Sequence, residues 1–191
     1  MRFEDGSSMR LYRQTIEDFS LYSGKELTEE DMKALRKAAG EMSAKMRAVR
    51  IVSASSVSKR DLEYRLIQKG EDPRQAKQAV EWMSDLNLLD DAKTAEQIVR
   101  RCIGKGYGLS RAKQALYEKR IPKEFWEEAL AEYPDQTEKI IAFLQTRLGK
   151  DADERDKRRA TDALLRRGHS YQEIRRAMEQ MDFDADFQED F

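Results

Sequence analysis

Three stretches of this chain can be laid over one another with Leu66, Leu116 and Leu164 as anchors, 50 and 48 residues apart. One helical turn before each anchor stand Leu62, Ala112 and Ala160. Thirteen residues after each comes Ala79, Ala129 or Ala177, followed by Val80, Leu130 or Met178 and then Met83, Tyr133 or Met181. Steps of four, three and four residues are those of an amphipathic helix, and the recurring small residue lets two helices approach closely. Self-similarity at such a period marks a repeat protein, whose units cover one another's apolar faces. That suits a chain with only 39% hydrophobic residues, enough for slim cores but not one large one.

The punctuation recurs with the anchors. Each anchor helix ends at Lys69-Gly70, Lys119-Arg120 or Arg167-Gly168, and a new start follows. Asp72-Pro73 reads as an N-cap with proline in the first turn, Pro122 supplies the same restraint, and Ser170 with Glu173 forms a capping box. A further helix precedes each pair: about 41–52, 91–102 behind Asp90, and 136–148 behind Asp135. Thr28 with Asp31 caps a helix to about Ala38, which Gly40 breaks or bends. Ahead of these, alternating runs around Asp5-Gly6-Ser7-Ser8 read as a β-hairpin. The expected architecture is all-α: an N-terminal hairpin and linker (1–27), three-helix repeats over 28–88, 89–134 and 135–181, and an acidic tail (182–191).

Charged residues make up 38%, with 36 basic against 37 acidic. This near-balance does not point to a polyanion-binding protein by bulk charge. No apolar run approaches the ~20 residues needed to span a bilayer, and the start lacks a signal peptide's apolar core, so a cytosolic protein is expected. The single cysteine, Cys102, lies in a helical pattern and reads as a core residue.

Conventional catalytic constellations are lacking in the sequence. Gly104-Lys105-Gly106-Tyr107-Gly108 follows a helix rather than a strand and has no terminal Gly-Lys-Ser/Thr, so it reads as a flexible, tight connector and not a phosphate loop. His169, the only histidine, reads as a loop residue beside a helix cap, without a nucleophile or metal-binding companions. No enzyme activity, cofactor or metal is expected. Distribution of charge is more informative: basic residues from Arg100 to Lys123 are interrupted only by Glu118, and a second run, Arg155 to Arg167, is diluted by acids. Arg100, Arg101, Lys105, Tyr107, Arg111 and Lys119 around the glycines are the candidate contacts, suited to phosphates or an acidic groove. The tail, with phenylalanines among acids, is either disordered or folds back on the basic surface.

Ser58 with Leu62, Leu66, Lys69 and Gly70; Leu89-Asp90-Asp91 with Ala95; Gly106-Tyr107-Gly108 with Arg111; and Leu116, Lys119 and Ile121 together resemble the RecX family of bacterial recombination regulators, over about 44–181. Thr94 stands where the family commonly has an aromatic, and Arg120 where it has glycine. The resemblance implies an elongated, curved array that lies in the groove of the RecA recombinase filament on single-stranded DNA. It would modulate ATP hydrolysis and strand exchange, with the six candidate residues in contact. Direct binding to single- or double-stranded DNA is the alternative. The highly charged surface favours a monomer.

Overall fold

The computed structural model describes residues 1–4, 6–149 and 152–189, with side chains described through Met181. The chain divides into two compact units, Met1–Asp90 and Asp91–Phe191. The first holds α1 (Arg13–Asp18), α2 (Glu29–Ala54), α3 (Lys59–Gln68) and α4 (Pro73–Asp85). The second holds α5 (Asp91–Gly104), α6 (Leu109–Glu118), a 3-10 turn (Lys123–Phe125) running into α7 (Trp126–Leu130), α8 (Thr137–Arg147), α9 (Glu154–Arg166) and α10 (Tyr171–Glu189).

The described residues include no strand. In place of the expected hairpin there is an isolated antiparallel bridge between Arg2 and Ser8, flanked by backbone bonds from Phe3 N to Ser7 O and Met9 N to Met1 O, each 2.9 Å. The bridging residues are exposed and polar, so no buried face extends the pairing, and a lone two-stranded ribbon is marginal. The linker also contains α1, which the sequence reading left out.

In the first unit, Gly40 does not interrupt the chain. Helix α2 begins at the Thr28–Asp31 capping box and runs unbroken for 26 residues. What the missing side chain provides is room: a Cβ on Gly40 would stand 2.3 Å from the Gln75 side-chain amide, whose Nε2 reaches the Lys37 carbonyl at 3.5 Å. Glycine here serves the close approach of α4 to α2. The core contains Ala44, Ala48, Leu62, Leu66, Ala79 and Met83. Glu71, almost fully buried, accepts from Ser43 Oγ (3.0 Å) and pairs with Arg47 Nε at 2.7 Å, tying the α3–α4 loop to α2.

The second unit carries two cores. Ala95, Val99, Leu116 and Ile121 form one, with Trp126, Ala129, Leu130 and Tyr133 packed against it. Ile140, Leu144, Ala160, Leu164, Ile174 and Ala177 form the other, with Met178 and Met181 alongside. The aligned columns of the sequence therefore fall in three separate cores. The expected caps are present at Asp72, whose Oδ1 accepts from Arg74 N at 2.9 Å, and at Ser170 and Glu173, whose reciprocal bonds are 2.6 and 3.2 Å. Pro122, by contrast, precedes a 3-10 turn rather than entering an α-helix directly.

The three anchor helices end alike. Gly70 (φ +87°), Arg120 (φ +53°) and Gly168 (φ +87°) each adopt the left-handed conformation. In each case the next residue, Glu71, Ile121 or His169, donates its N–H to the anchor leucine's carbonyl at 3.0–3.2 Å. This is the six-to-one bond of a Schellman cap. Arg120 thus keeps the cap in a conformation that costs an L-residue about 1–2 kcal/mol. Arg120→Gly is expected to raise stability by roughly 0.5–1 kcal/mol, after allowing for glycine's greater freedom in the unfolded chain. A lower urea midpoint for the variant would show that contacts of the Arg120 side chain outweigh that strain.

A candidate partner-binding site on a clamped glycine connector

The connector between α5 and α6 contains the middle of the predicted site, and it is not a flexible link. Gly106 and Gly108 are buried. Gly108 N donates to Arg167 O at 2.9 Å and Ser110 N to Gly168 O at 3.3 Å, so the end of α9 is bonded to the start of α6. The two backbones meet with no space between them. A Cβ on Gly108 would lie 2.1 Å from Gly168 O, and a Cβ on Gly168 would lie 2.3 Å from Arg111 N.

Other groups complete the clamp, from α8 and from the segment before it. Lys139 on α8 donates through Nζ to the Ile103 carbonyl, placing a cation at the C-terminal end of α5, where the helix dipole favours one. Tyr133 Oη donates to Tyr107 O at 2.7 Å. Burial, with smaller contributions from Cys102 and Glu173, pushes the Tyr133 phenol up to about 12.

His169 lies in the loop before the Ser170 cap, as expected, but it is a buried part of the junction, 4% exposed. Its Nε2 is 3.0 Å from Gly106 O. A carbonyl accepts only, so Nε2 carries the proton and the buried, unpartnered Nδ1 is the unprotonated nitrogen of a neutral ring. Desolvation is the largest influence and lowers the His169 pKa; the Gly106 bond and Glu173 oppose it, and Arg167 adds to the depression. Since the folded value lies below the ordinary ~6.5, the unfolded chain binds the proton more readily. Stability from this site is present above that pH and is lost as the pH falls through the depressed folded value. The urea midpoint is therefore expected to drop between pH 7.5 and 5 more in the native chain than in His169→Gln, whose amide can keep the bond to Gly106. Equal drops would remove His169 as the source.

Of the six sequence candidates, Lys105 and Tyr107 lie on the connector itself, Arg101 stands in the last turn of α5 and Arg111 in the first turn of α6. The positive charges of Arg111, Lys105 and Arg101, in that order, act on the buried Cys102 thiol, whose pKa burial nonetheless raises. Lys105 Nζ lies 6.0 Å from the centre of the half-buried Tyr107 ring. Arg111 is half-buried and pairs with Glu118 at 3.0 Å. Arg100 is exposed and directed to Glu96, one turn back on α5, at 3.2 Å. Lys119 caps the far end of α6, roughly 12 Å along the helix from Arg111. The sequence reading missed Lys139, Tyr133, Gly168 and His169 as supports of the connector. Of these, only the Gly168-His169 dipeptide, a left-handed cap beside the sole histidine, carried any local signal.

Among the described residues, no cluster of His, Cys, Asp or Glu could hold a metal ion, and no helix is long and apolar enough to cross a membrane.

The second three-helix domain of RecX, as a family profile, matches residues 90–130, which span α5 to α7. The regulatory protein RecX of Xanthomonas axonopodis pv. citri is 31% identical over 134 residues, covering 69% of this chain and 83% of that protein. The chain belongs to the RecX family. The RecX protein of Vibrio parahaemolyticus is 28% identical over 140 residues, 72% of this chain and 90% of its own length. Among solved structures, a regulatory protein RecX superimposes with a TM-score of 0.68 at 20% identity, covering 93% of this chain and 92% of that one. RecX from Lactobacillus salivarius gives 0.65 at 22% identity, covering 76% and 99%. At these identities the structures establish the fold, and the sequence relatives establish a family of regulatory proteins rather than of enzymes.

Proposed function

We propose that this chain binds the RecA recombinase assembled on single-stranded DNA and modulates it, chiefly by inhibiting ATP hydrolysis and strand exchange in recombination and DNA repair. Family membership supports the regulatory role. The observation that carries the location is the placement of Arg101, Lys105 and Arg111 on and beside a connector held by backbone bonds to the next repeat. A backbone frame held in this way needs no ordering of its own on binding, which lowers the entropic cost of presenting these charges to a partner's acidic surface. Tyr107 adjoins Lys105, and Arg100 and Lys119 would extend the contact outward along α5 and α6.

Tandem three-helix repeats, with boundaries near residues 88, 134 and 181, suit a filament because successive repeats can engage successive sites of a repeating groove. The chain acts as a cytoplasmic monomer in this reading, its charged outer faces disfavouring self-association. The test is the rate of ATP hydrolysis by the cognate recombinase on single-stranded DNA with this protein added in substoichiometric amounts. Suppression is expected; an unchanged rate with intact filaments would reject filament modulation.

A further inference from the structure

The first unit carries a cleft of the opposite sign to the connector. It lies between α2 and α4, holds about 310 Å³, and its lining includes Glu41, Lys45, Gln78, Glu81, Trp82 and Asp85. Gln78, Glu81, Trp82 and Asp85 recur at the steps that share one face of α4, and Glu41 and Lys45 stand one turn apart on α2. Three carboxylates against one ammonium leave the lining negative. The acids are loosely engaged. Glu41 meets the exposed Lys37 at 3.9 Å and Glu81 the exposed Lys77 at 4.0 Å, while Asp85 enters no ion pair among the described residues.

Lys45 shows what this cleft holds. Four residues after Glu41 it has the spacing of a helical ion pair, yet its Nζ lies over the half-buried Trp82 ring, 5.4 Å from the centre, and it enters no ion pair among the described residues. The indole face therefore already takes a cation supplied by the chain itself, and the carboxylates beside it are left for another. A flat aromatic face bounded by carboxylates suits a guanidinium, whose plane stacks on the ring while its N–H groups donate to the acids. Lysine's compact ammonium has no plane to lay on the indole.

We propose that the α2–α4 cleft receives an arginine from a basic segment of a partner protein. The guanidinium stacks on Trp82 and takes Glu81 and Asp85 as acceptors, and Lys45 swings off the ring to admit it. Charge complementarity selects the partner: a negative cleft with an exposed rim recruits a positive segment and weakens its hold as salt rises. Such binding needs neither the connector nor a recombinase, so it stands or falls separately from filament modulation.

The measurement is fluorescence anisotropy of a labelled hexa-arginine peptide titrated with the full chain at low salt. The double variant E81Q/D85Q is expected to bind about tenfold more weakly, the loss of two exposed ion pairs. Glutamine is a good helix former and both positions are exposed, so the variant should remain folded, which circular dichroism verifies. The control E29Q/E30Q removes two acids at the start of α2, outside the cleft, and should leave the affinity unchanged. Lys45→Met, which clears the ring of its resident cation, should tighten binding by about two- to fivefold, and Trp82→Leu should weaken it by a similar factor. A hexa-lysine peptide should bind more weakly than hexa-arginine. Native-like affinity of the folded E81Q/D85Q protein, an equal loss in E29Q/E30Q, or no gain in Lys45→Met would overturn the assignment. So would salt-sensitive self-association in sedimentation velocity that E81Q/D85Q abolishes, which would give the cleft to a second copy of this chain.

Discussion

Replacing Gly168 by alanine is expected to lower the stability of the second unit by about 3–6 kcal/mol, adding left-handed strain, overpacking against a backbone and the lost junction bonds. The methyl would meet Arg111 N at 2.3 Å and Arg111 Cα at 2.9 Å, in a residue already at φ +87°. Neither atom is the movable end of a side chain. Relief requires α6 to separate from the end of α9, which breaks the bonds from Gly108 N to Arg167 O and from Ser110 N to Gly168 O.

Two other glycines separate the contributions. Gly70 has the same φ of +87° but nothing within 4 Å of its missing Cβ, so Gly70→Ala reports strain alone, about 1–2 kcal/mol. Gly108 has an ordinary φ of −78° but a Cβ position 2.1 Å from Gly168 O, so Gly108→Ala reports the clash alone. Gly168→Ala should cost clearly more than Gly70→Ala, and the thermal midpoint should fall by at least 6 °C at roughly 2–4 °C per kcal/mol. Were Gly168→Ala no worse than Gly70→Ala in urea unfolding, the junction would be loose in solution and the connector not preorganised.

These glycines also mark where the sequence was legible and where it was not. The anchor leucines, the small-residue column and the caps at Asp72 and Ser170 are local patterns with a fixed period, so helix positions and core residues could be read directly. Gly40 was misread because a glycine within a helix looks the same in sequence whether it bends the chain or makes room for a neighbour such as Gln75. The run from Gly104 to Gly108 was misread for the opposite reason: backbone freedom suggested flexibility, whereas the absent Cβ atoms allow contact with residues some sixty positions away. His169 and Lys139 act through backbone carbonyls, Gly106 O and Ile103 O, and no side-chain pattern announces such partners. The basic character of the site was visible as a charge run. That Arg100 turns back to Glu96 rather than toward the connector depends on helix phase and ion-pair geometry.

Reversing Arg101 and Lys105 together is expected to reduce suppression of recombinase ATP hydrolysis at least tenfold while leaving the fold intact. Both side chains are exposed, at the end of α5 and just beyond it, so the change should alter stability by no more than about 0.5 kcal/mol apiece. Acids placed at a helix C-terminus add a small unfavourable dipole interaction, which R101Q/K105Q would avoid. Arg111 is the weaker choice for such a test, since it is half-buried, pairs with Glu118 and has its backbone against Gly168. A loss on mutating it could reflect a disturbed junction rather than a lost contact. If Arg101 and Lys105 meet an acidic surface, the charge reversal should act mainly on the association rate and should matter less as salt rises. The neutral glutamine pair should fall between native and reversed chains. Undiminished suppression by the folded R101E/K105E protein would move the contact away from the connector, even though the chain would still belong to a family of regulators.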